Sequence, residues 1–394
     1  MLVTGAYYPE ISAAAVQCRA VASALRGRAD VSVLTTAVDP ALPSESIVDG
    51  VAVHRVHVDV ASRASKIAAS MRLAMHLLHA RRRYGIIHVH GFSQKNVPVA
   101  ILARLLGKRL VLSLHTAGQD EPRAAARRGR IASWAFTSPD LVLSVSPDLV
   151  ARWEAERLPH DRIRLVPNGV DTARFRPADD RERAELRRAL GWPLDRPVVL
   201  FVGFFSRDKR PDLLFSAWRR VVDAGVRSRL ALVGAKGAGY YEIDASLEDE
   251  IRRRAAASGC ADEVLFVDPT HEIDKYFRAA DVYVLPSVRE AHPLALLEAM
   301  ACGLPCVATR LPGSTDVLID DRVNGRLFPP DDEMALAAAL QDVLVNPPLA
   351  RAIGRCARET AAARYDIGRT ADGWLSAYRT VLNGEADDRP PRQA

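Results

Sequence analysis

Ser287–Thr309 reads SVREAHPLALLEAMACGLPCVAT and follows the apolar run Val282–Leu285. That apolar run is typical of a buried strand. Pro293 suits the first position of a helix, and Gly303 followed by Pro305 suits its end. A second apolar run, CVAT, closes the stretch. Strand, helix and strand in this order predict a βαβ unit with two parallel strands.

Two carboxylates take different places in this unit. Glu290 lies in the loop before the predicted helix, and Glu298 lies in the second helical turn. Between them, the first N–H groups of the helix have no acceptor within the helix and favour an anion together with the helix dipole. A phosphate bound there would have a carboxylate on either side to hold sugar hydroxyls. From spacing alone, a capping acid and a solvent-facing glutamate are the simpler explanation.

Outward from this unit, short apolar runs alternate with amphipathic segments, which predicts parallel sheets covered by helices on both faces. The strands predicted in the first half are Leu2–Thr4, Val31–Thr35, Val51–Val56, Ile86–His90, Leu110–Leu114, Leu141–Val145 and Ile163–Val166. Those predicted in the second half are Val198–Val202, Leu230–Val233, Val264–Val267, Val282–Leu285 and Cys306–Thr309. The predicted helices include Ala14–Arg26, Lys66–Arg83, Asp212–Ala224, Leu247–Ser258, Asp274–Ala280, Pro293–Cys302 and Met334–Val345.

The alternation breaks near Phe175, in a charged segment that holds three prolines. A length of 394 residues also indicates two domains, at roughly 100–200 residues each. We predict a first domain at 1–172, a linker with one short helix at 173–196 and a second domain at 197–365. A C-terminal helix at 366–383 is expected to return to the first domain, and the tail at 384–394 is expected to be disordered.

The composition is that of an ordinary soluble protein, with 48% hydrophobic and 26% charged residues. No apolar run of about 18 residues predicts a membrane span. The start of the chain, MLVTGAYYPE, has neither the basic nor the apolar region of a signal peptide. Five cysteines without a C-x-x-C pair are expected to be reduced thiols, which favours a cytoplasmic location.

The net charge of +6 is spread unevenly. Val60–Trp134 holds fourteen Lys and Arg residues and two acids, Asp120 and Glu121, so it carries +12 and the rest of the chain carries −6. Such asymmetry indicates contact with an anionic surface. A solvated basic face explains it equally well.

Within this basic stretch, Lys66–Gly85 predicts an amphipathic helix. Its apolar stripe, at spacings of three and four, comprises Ile67, Met71, Ala74, Met75 and Leu78, and Leu73 and Leu77 widen it on one side. Its polar face is shared by Arg72, His76, His79 and Arg83. One hypothesis is that the basic first domain docks on an anionic membrane or binds a phosphorylated, lipid-linked acceptor. The competing interpretation is that the stripe packs on the domain's own sheet.

Four segments carry a resemblance to a known family. Glu290-x7-Glu298 with AMACGLPCVAT, Gly313 and Asn324–Gly325 resembles the donor-binding half of glycosyltransferase family 4. The other three are VPNGVDTARFRP at Val166–Pro177, FVG with DKRPDLLF within Phe201–Phe215, and LVGAKG at Leu232–Gly237. The resemblance implies the α/β GT-B fold, which has two tandem Rossmann-like doubly wound domains facing across a cleft. It also implies retaining, metal-independent sugar transfer.

The loop GFFSRDKRP follows the strand Val198–Val202, so its cations should point into a ligand site at the strand's carboxyl end. Arg offers a planar fork to a diphosphate and Lys offers a point charge. The resemblance assigns Lys209 to the donor diphosphate. The family usually has an Arg at the position of Phe204, so either Arg207 reaches the phosphate or one cation fewer binds it. By resemblance, Glu290 holds the donor sugar and Glu298 the ribose, and the donor site is completed by His292, Pro293 and Leu294.

In the first half, His115 ends the strand Leu110–Leu114. The resemblance places it beside the reacting carbon, where its ring or carbonyl steadies developing charge; a merely packed histidine is the alternative. His88 and His90 resemble the family's HVHG run and are expected to be structural, without the third ligand a metal site needs. In the first loop, Ser12 and Ala13 stand where the family commonly has two glycines, which argues against close backbone contact with a phosphate.

Other classes lack their signatures. The chain has no G-x-G-x-x-G of a dehydrogenase, no Walker A motif and no Asp-x-Asp triplet of a metal-dependent transferase. We therefore predict an active transferase with a UDP- or GDP-linked donor, no cofactor, no metal and no nucleic-acid partner. Its acceptor is unknown and belongs to cell-envelope glycolipid, polysaccharide or secondary-metabolite synthesis. The alternatives are a sugar phosphorylase and a non-catalytic sugar- or lipid-binding relative of the same fold.

Overall fold

The computed structural model describes residues 1–93, 95–234 and 243–383, and the predicted disordered tail at 384–394 lies outside them. The chain divides into two compact units. Unit 1 comprises Met1–Gly169 and the chain from Ile367 onward, and unit 2 comprises Val170–Asp366.

Unit 1 is built on an eight-stranded sheet with the order β3-β4-β2-β1-β5-β6-β7-β8. All neighbouring strands are parallel except β3, which runs antiparallel to β4 at the edge. The strands are β1 (Leu2–Thr4), β2 (Ser32–Ala37), β3 (Glu45–Val48), β4 (Val51–His57), β5 (Ile86–His90), β6 (Arg109–Leu114), β7 (Leu141–Ser144) and β8 (Ile163–Leu165). Six helices connect them: α1 (Ala13–Ala24), α2 (Arg63–His79), α3 (Asn96–Leu105), α4 (Pro122–Arg127), α5 (Arg130–Thr137) and α6 (Pro147–Ala155).

Unit 2 contains a parallel six-stranded sheet with the order β11-β10-β9-β12-β13-β14. Its strands are β9 (Val198–Val202), β10 (Arg229–Val233), β11 (Val264–Val267), β12 (Val282–Leu285), β13 (Cys306–Thr309) and β14 (Arg326–Phe328). Its helices are α7 (Asp180–Ala189), α8 (Pro211–Asp223), α9 (Ala245–Ala257), α10 (Ile273–Ala279), α11 (Leu294–Ala301), α12 (Glu333–Val345) and α13 (Pro347–Arg364). Apolar clusters fill both faces of this sheet.

The last helix, α14 (Ile367–Asn383), belongs to unit 1 although it follows unit 2 in the chain. It packs against α1. Trp374 on its inner face is 2% exposed and shares a core cluster with Leu2, Val21 and Val111. Both ends of the chain therefore contribute to the core of unit 1.

The charged segment 173–196, predicted to be a linker, is part of unit 2. Its helix α7 packs against α10. Arg183 Nη2 lies 2.7 Å from an oxygen of Asp281, and Arg187 pairs with the other oxygen. Both guanidinium groups also donate to backbone carbonyls at the end of α10, which are those of Ala280 and Ala279. The linker prediction was wrong because the segment belongs to unit 2, where Arg183 and Arg187 tie its helix to the end of α10 and to Asp281.

Each sheet has one point where the direction of strand addition reverses. In unit 1 it lies between β1 and β5, and in unit 2 it lies between β9 and β12. At such switch points the loops after the two central strands diverge and leave a crevice, where ligands of doubly wound sheets bind. The loops after β9 and β12 hold Lys209 and Glu290, respectively.

All five cysteines are free thiols, and four of them are buried. Across 1–93, 95–234 and 243–383, no helix has both the length and the apolar character that a membrane crossing requires.

Candidate functional site

Lys209 and Glu290 meet at the switch point of unit 2. Lys209 Nζ donates to Glu290 Oε1 over 2.6 Å. The carboxylate is nearly buried, with 8% of its side chain exposed, whereas the lysine side chain is 28% exposed. The same loops are joined twice more, because Val288 N donates to the Asp208 carbonyl over 2.8 Å and Arg289 Nε donates to the Asp208 carboxylate over 3.0 Å. The structure thus brings two predicted site residues together from loops 81 residues apart.

The start of α11 follows this pair directly. Pro293 is extended, with φ −69° and ψ 116°, and caps a helix that begins at Leu294. The helix therefore begins one residue later than predicted, because the Pro293 carbonyl accepts from Leu297 N while its own backbone is not helical. The first N–H groups of α11 have no acceptor within the helix. Beside a lysine with further N–H donors, they form a site suited to a phosphate.

Glu298 lies in the second turn of α11 and is half-buried. Burial raises the pKa of its carboxyl to about 8, and Asp274 adds to the shift while Arg174 opposes it. Arg174 is itself held by Asp274, with Nη2 and Oδ1 2.7 Å apart. Within the described part of the chain, the Glu298 carboxyl has no hydrogen-bond partner. It is therefore a largely protonated acid at neutral pH that can exchange hydrogen bonds with a ligand hydroxyl.

Arg207 lies in a different environment from Lys209. Its Nε donates to Asp244 Oδ2 over 2.9 Å at the start of α9, and a second oxygen, Glu250 Oε2, lies 3.8 Å from Nη2. The side chain is 59% exposed. The guanidinium has an acidic partner in the structure, and its predicted contact with a diphosphate stays a prediction.

The remaining predicted donor residues surround the turn before α11. His292 is buried, and burial lowers the pKa of its imidazole to about 3, so the ring is neutral. Its ring centroid lies 5.4 Å from that of Tyr365 on the loop between α13 and α14. Leu294 is half-buried at the helix start. His292 thus supports the turn from the inside, next to the loop that carries Glu290.

In unit 1, the half-buried His115 lies next to two buried histidines, His88 and His90, at the ends of β5 and β6. His90 Nδ1 lies 3.2 Å from His115 Nε2, and the two rings are stacked. His88 is bonded on both nitrogens, to Ser113 Oγ and to the Tyr378 hydroxyl, each over 2.7 Å. Burial lowers the pKa of His115 to about 4 and those of His88 and His90 well below their usual range. All three rings are therefore neutral at pH 7.

Asp120 fixes the position of His115 and was not predicted as a site residue. Its Oδ2 accepts from His115 N over 2.8 Å and from Thr116 N over 2.9 Å, and its Oδ1 accepts from Phe92 N over 2.7 Å. The residue is 3% exposed. Burial raises the pKa of this carboxyl, and the three backbone donors oppose the shift. One carboxylate thus joins the loops after β5 and β6; the only sequence signal was an acid five residues after the strand-end histidine.

The first loop of unit 1 enters α1 through an ordinary cap. Ser12 is extended, with φ −146°, and its Oγ accepts from Ala15 N over 3.2 Å. Ala13 is the first residue of the helix. In this loop Ser12 therefore serves as a helix cap, and neither residue adopts the positive φ that a glycine pair would permit.

Asn324 and Gly325, part of the motif that carried the resemblance, have a structural role. Asn324 Oδ1 accepts from Asp320 N, and its Nδ2 donates to the Leu318 carbonyl and to Thr360 Oγ1. A Cβ on Gly325 would lie 2.8 Å from Ile319 and 3.1 Å from the Cys306 carbonyl. A side chain at 325 would clash with the core, so only glycine fits.

Two family profiles match the chain. Residues 182–360 match Glycosyl transferases group 1, and residues 14–174 match Glycosyltransferase Family 4. The chain belongs to this glycosyltransferase family. The first match covers Lys209, Glu290 and Glu298, and the second covers His115.

Several relatives bear the name D-inositol 3-phosphate glycosyltransferase. The chain is 33% identical over 340 residues to that of Kineococcus radiotolerans, which covers 79% of this chain and 75% of the relative. For Segniliparus rotundus the identity is 32% over 320 residues, with coverage of 78% and 69%. For Saccharomonospora viridis it is 39% over 229 residues, and the match spans 56% of this chain but only about half of the relative, 51%.

Solved structures share the fold. Sucrose-phosphate synthase from Thermosynechococcus elongatus superposes with a TM-score of 0.80 at 23% identity, covering 98% of this chain and 99% of that one. HepE from Anabaena, in complex with UDP, superposes with a TM-score of 0.75 at 18% identity, with coverage of 96% and 99%. The GT-B architecture expected from the sequence is confirmed.

Proposed function

We propose that the chain is a retaining glycosyltransferase that moves a sugar from a nucleotide diphosphate sugar to an acceptor hydroxyl without a metal ion. The observation that carries the proposal is the Lys209–Glu290 pair, 2.6 Å apart at the switch point of unit 2 and directly before α11. Family membership and the relatives' names support the reaction class.

In the proposed mechanism, the donor diphosphate binds Lys209 and the N–H groups that begin α11. When the glycosidic bond breaks, negative charge develops on the leaving phosphate. Fixed cations and N–H dipoles stabilise that charge more in the transition state than in the ground state, which is what accelerates the reaction. Glu290 holds the donor sugar hydroxyls, because Lys209 occupies only part of its acceptor capacity. Glu298 holds the ribose.

A further role is proposed for His115. Its neutral ring, or its backbone carbonyl, steadies the reacting sugar while the acceptor attacks the face that the nucleotide leaves. We propose a UDP- or GDP-linked donor. HepE, whose fold is similar, was solved with UDP and with UDP-glucose, which supports a UDP-linked donor.

For the acceptor, we propose a phosphorylated or lipid-linked molecule handled at the cytoplasmic face of a membrane, in cell-envelope or related synthesis. The basic stretch Val60–Trp134 supports an anionic partner. The relatives' names supply one specific candidate, inositol 3-phosphate, as a soluble anionic acceptor.

The first test is a screen of purified protein against nucleotide sugars and the acceptor candidates, read by mass spectrometry. Transfer or slow donor hydrolysis that survives EDTA is expected, and NMR of the product should show the anomeric configuration of the donor. Nucleotide binding without turnover on any donor would favour the non-catalytic alternative. An inverted product would overturn the retaining assignment.

The second test removes the charge of Lys209. Lys209→Ala should lower kcat/KM by roughly 10²-fold or more, because fixed charge at the leaving phosphate is lost. Lys209→Gln keeps a donor for the nearly buried Glu290 and should show the same loss with an intact fold. Arg219→Ala removes a cation paired with Asp223 on the surface of α8 and should leave the rate unchanged. An unchanged rate in both Lys209 variants would overturn the proposed site.

A further inference from the structure

The apolar stripe of α2 faces outward. Ile67, Met71, Met75 and Leu78 are 64%, 62%, 51% and 42% exposed. The helix packs on its unit through the opposite side, where the buried residues are Ala69, Leu73 and Leu77. The interpretation that the stripe packs on the domain's own unit therefore holds for Leu73 and Leu77, which widen the stripe on one side, and is wrong for its four exposed members.

The exposed apolar surface continues on two neighbouring helices. Helix α3 packs against α2 and α5 packs against α3, so the three form one layer of unit 1. In α3, Ile101 and Leu105 are 42% and 77% exposed, and in α5, Ile131 and Trp134 are 67% and 38% exposed. Single exposed apolar residues are ordinary, but eight on three adjacent helices mark an interaction surface. We call the outer surface of α2, α3 and α5 the three-helix face.

The charge of this region is positive at its surface. Both acids of Val60–Trp134 are buried, Asp120 at 3% and Glu121 at 7% exposure. Asp120 accepts from three backbone N–H groups, and Glu121 accepts from Gly118 N and pairs with Arg152. The exposed cations of the stretch therefore have no exposed acid among them. On and beside the three-helix face they include Lys66, Arg72, Arg104, Arg127 and Arg130.

A basic groove lies between α3 and α5. Its volume is about 540 Å³, and four cations line it: Arg104, Lys108, Arg109 and Arg162. Its walls also include Trp134 and Asp140, and Asp140 is paired with Arg109 at 3.2 Å. A groove with several cations and an aromatic wall suits a phosphate headgroup, with the indole at the boundary between water and acyl chains.

We propose that the three-helix face docks unit 1 on an anionic lipid bilayer. The apolar side chains of α2, α3 and α5 enter the boundary between headgroups and acyl chains, and the surrounding arginines and lysines bind lipid phosphates. The three-helix face would be the part of unit 1 that contacts the membrane named in the proposed function. It does not depend on sugar transfer, so each can fail without the other.

The anionic bilayer is favoured over a protein partner by the combination of features. A surface that binds another protein usually mixes acidic and basic residues around its apolar centre. Here the exposed charges of Val60–Trp134 are all cations. Each cation near an anionic surface strengthens binding by about fivefold. Together with the inserted side chains, these cations should bind vesicles that contain phosphatidylglycerol. Because the attraction is electrostatic, high salt should weaken the binding.

The experiment uses the full chain with vesicles of phosphatidylcholine alone or mixed with phosphatidylglycerol, at low and high salt. Co-sedimentation measures binding. Brominated lipids report the docking face, because Trp134 is 38% exposed while the other four tryptophans are at most 6% exposed. We expect binding to the mixed vesicles at low salt, at least a tenfold loss at high salt, and quenching of tryptophan fluorescence that Trp134→Phe abolishes.

Matched variants separate the two contributions. Met71→Gln should weaken binding several-fold, whereas Met334→Gln changes a methionine of the same 62% exposure in unit 2 and should have no effect. Arg104→Gln with Arg130→Gln should weaken binding at least tenfold and reduce its salt dependence, whereas Arg188→Gln, also exposed, should not. Because all these side chains are exposed, the variants should unfold at unchanged temperature.

Three outcomes would overturn the proposal. They are no binding to anionic vesicles at low salt, binding that ignores salt, and binding without quenching of Trp134. If Met71→Gln changes the oligomeric mass of the protein in solution and leaves vesicle binding unchanged, the face is a protein contact instead. Donor hydrolysis measured on the same samples distinguishes these failures from failure of the transferase proposal.

Discussion

Glu298 holds a carboxyl with a pKa of about 8 in the free protein. Ribose hydroxyls that donate to its oxygens would stabilise the ionised form and lower that pKa. The carboxyl is largely protonated below pH 8 before binding, so nucleotide diphosphate should displace its proton near pH 7. We expect calorimetry in buffers of different ionisation enthalpy to show net proton release, with affinity rising as the pH rises toward 8.

Glu298→Gln is the matched control for this titration. The amide can still exchange hydrogen bonds with ribose but cannot titrate. Proton release assigned to Glu298 should vanish, and affinity should become flat with pH above 7, where the nucleotide phosphate is already ionised. Equal proton release by the two proteins would show that another group titrates and that Glu298 does not contact the ribose.

His90 is expected to set the tautomer of His115. In the described part of the structure, His90 Nε2 is buried without a partner, while its Nδ1 faces His115 Nε2 at 3.2 Å. A buried N–H without an acceptor is rarer and costlier than an unused lone pair. His90 should therefore carry its hydrogen on Nδ1, which leaves His115 with its hydrogen on Nδ1.

Nitrogen-15 NMR of labelled protein can check this assignment. The His115 ring should show a protonated Nδ1 and a bare Nε2. His90→Phe removes the donor and should mix the tautomers of His115, whereas His90→Asn places an amide N–H near the old Nδ1 and should preserve them. A His115 ring protonated on Nε2 in the unaltered protein would contradict the assignment.

The sequence predicted the roles of some single residues and missed those of others. Lys209 and Glu290 were predicted because a strand-end loop and a helix start have local signals, and the structure brings them together. Asp120 and His90 were missed as positioning groups because their roles depend on loops that meet only in the folded sheet. Arg207 had the right residue type in the right loop, but its contact with Asp244 depends on a helix start 37 residues later.

At the scale of elements, one acid, Asp281, joins two arginines of α7 to the sheet of unit 2. Asp281 Oδ2 accepts from Val198 N over 2.7 Å, and the carboxylate pairs with Arg183 and Arg187. Asp281→Asn would remove the anion that pairs with the buried Arg187 and the half-buried Arg183. We expect the free energy of unfolding to fall by about 2–4 kcal/mol, toward the low end of values for buried pairs because the aspartate is 27% exposed.

Chemical denaturation followed by circular dichroism measures this loss. Asp223→Asn is the control, since Asp223 pairs with Arg219 one turn away on the surface of α8. Such a pair is worth about 0.3–0.5 kcal/mol. If Asp281→Asn costs no more than this control, the pairs of α7 do not stabilise unit 2.

The sequence predicted the bounds of strands correctly where an apolar run has clear ends. Val198–Val202 and Val282–Leu285 form strands with the predicted bounds. The short edge strand β3 was missed, because Glu45–Val48 is half polar and pairs on one side only. In α2 the helical period was correct, but two apolar sets share the helix. The sequence did not decide which set faces the sheet.

For the whole molecule, two tandem domains and a C-terminal helix that returns to the first domain were predicted, and in the structure α14 belongs to unit 1, so that unit 2 lies in the sequence between two parts of unit 1. Composition revealed the break near Phe175, yet the boundary falls at Gly169 and Val170. Whether charges in a segment are solvated or paired depends on Asp281, about a hundred residues away. Such distant pairing leaves no local signal in a single sequence.

Because α14 completes the core of unit 1, damage to this helix should affect one unit only. The ring centroid of Trp374 lies 4.7 Å from that of His88 and 4.9 Å from that of His90, and Trp374 is 2% exposed. Trp374→Ala should cost unit 1 about 3–5 kcal/mol through lost burial and the cavity that remains. Hydrogen exchange with mass spectrometry should show faster exchange in β1, β5 and β6, while β9 and β12 exchange as before.

Leu382→Ala on the same helix is the control, because Leu382 is 54% exposed and its loss should leave exchange in both units unchanged. A saturating nucleotide diphosphate should slow exchange in the strands of unit 2 in both variants, since binding stabilises the state that binds. Equal acceleration of exchange in β1 and β9 on Trp374→Ala would mean that the chain unfolds as one cooperative body. The stability of the donor site would then depend on a helix that lies outside its own unit.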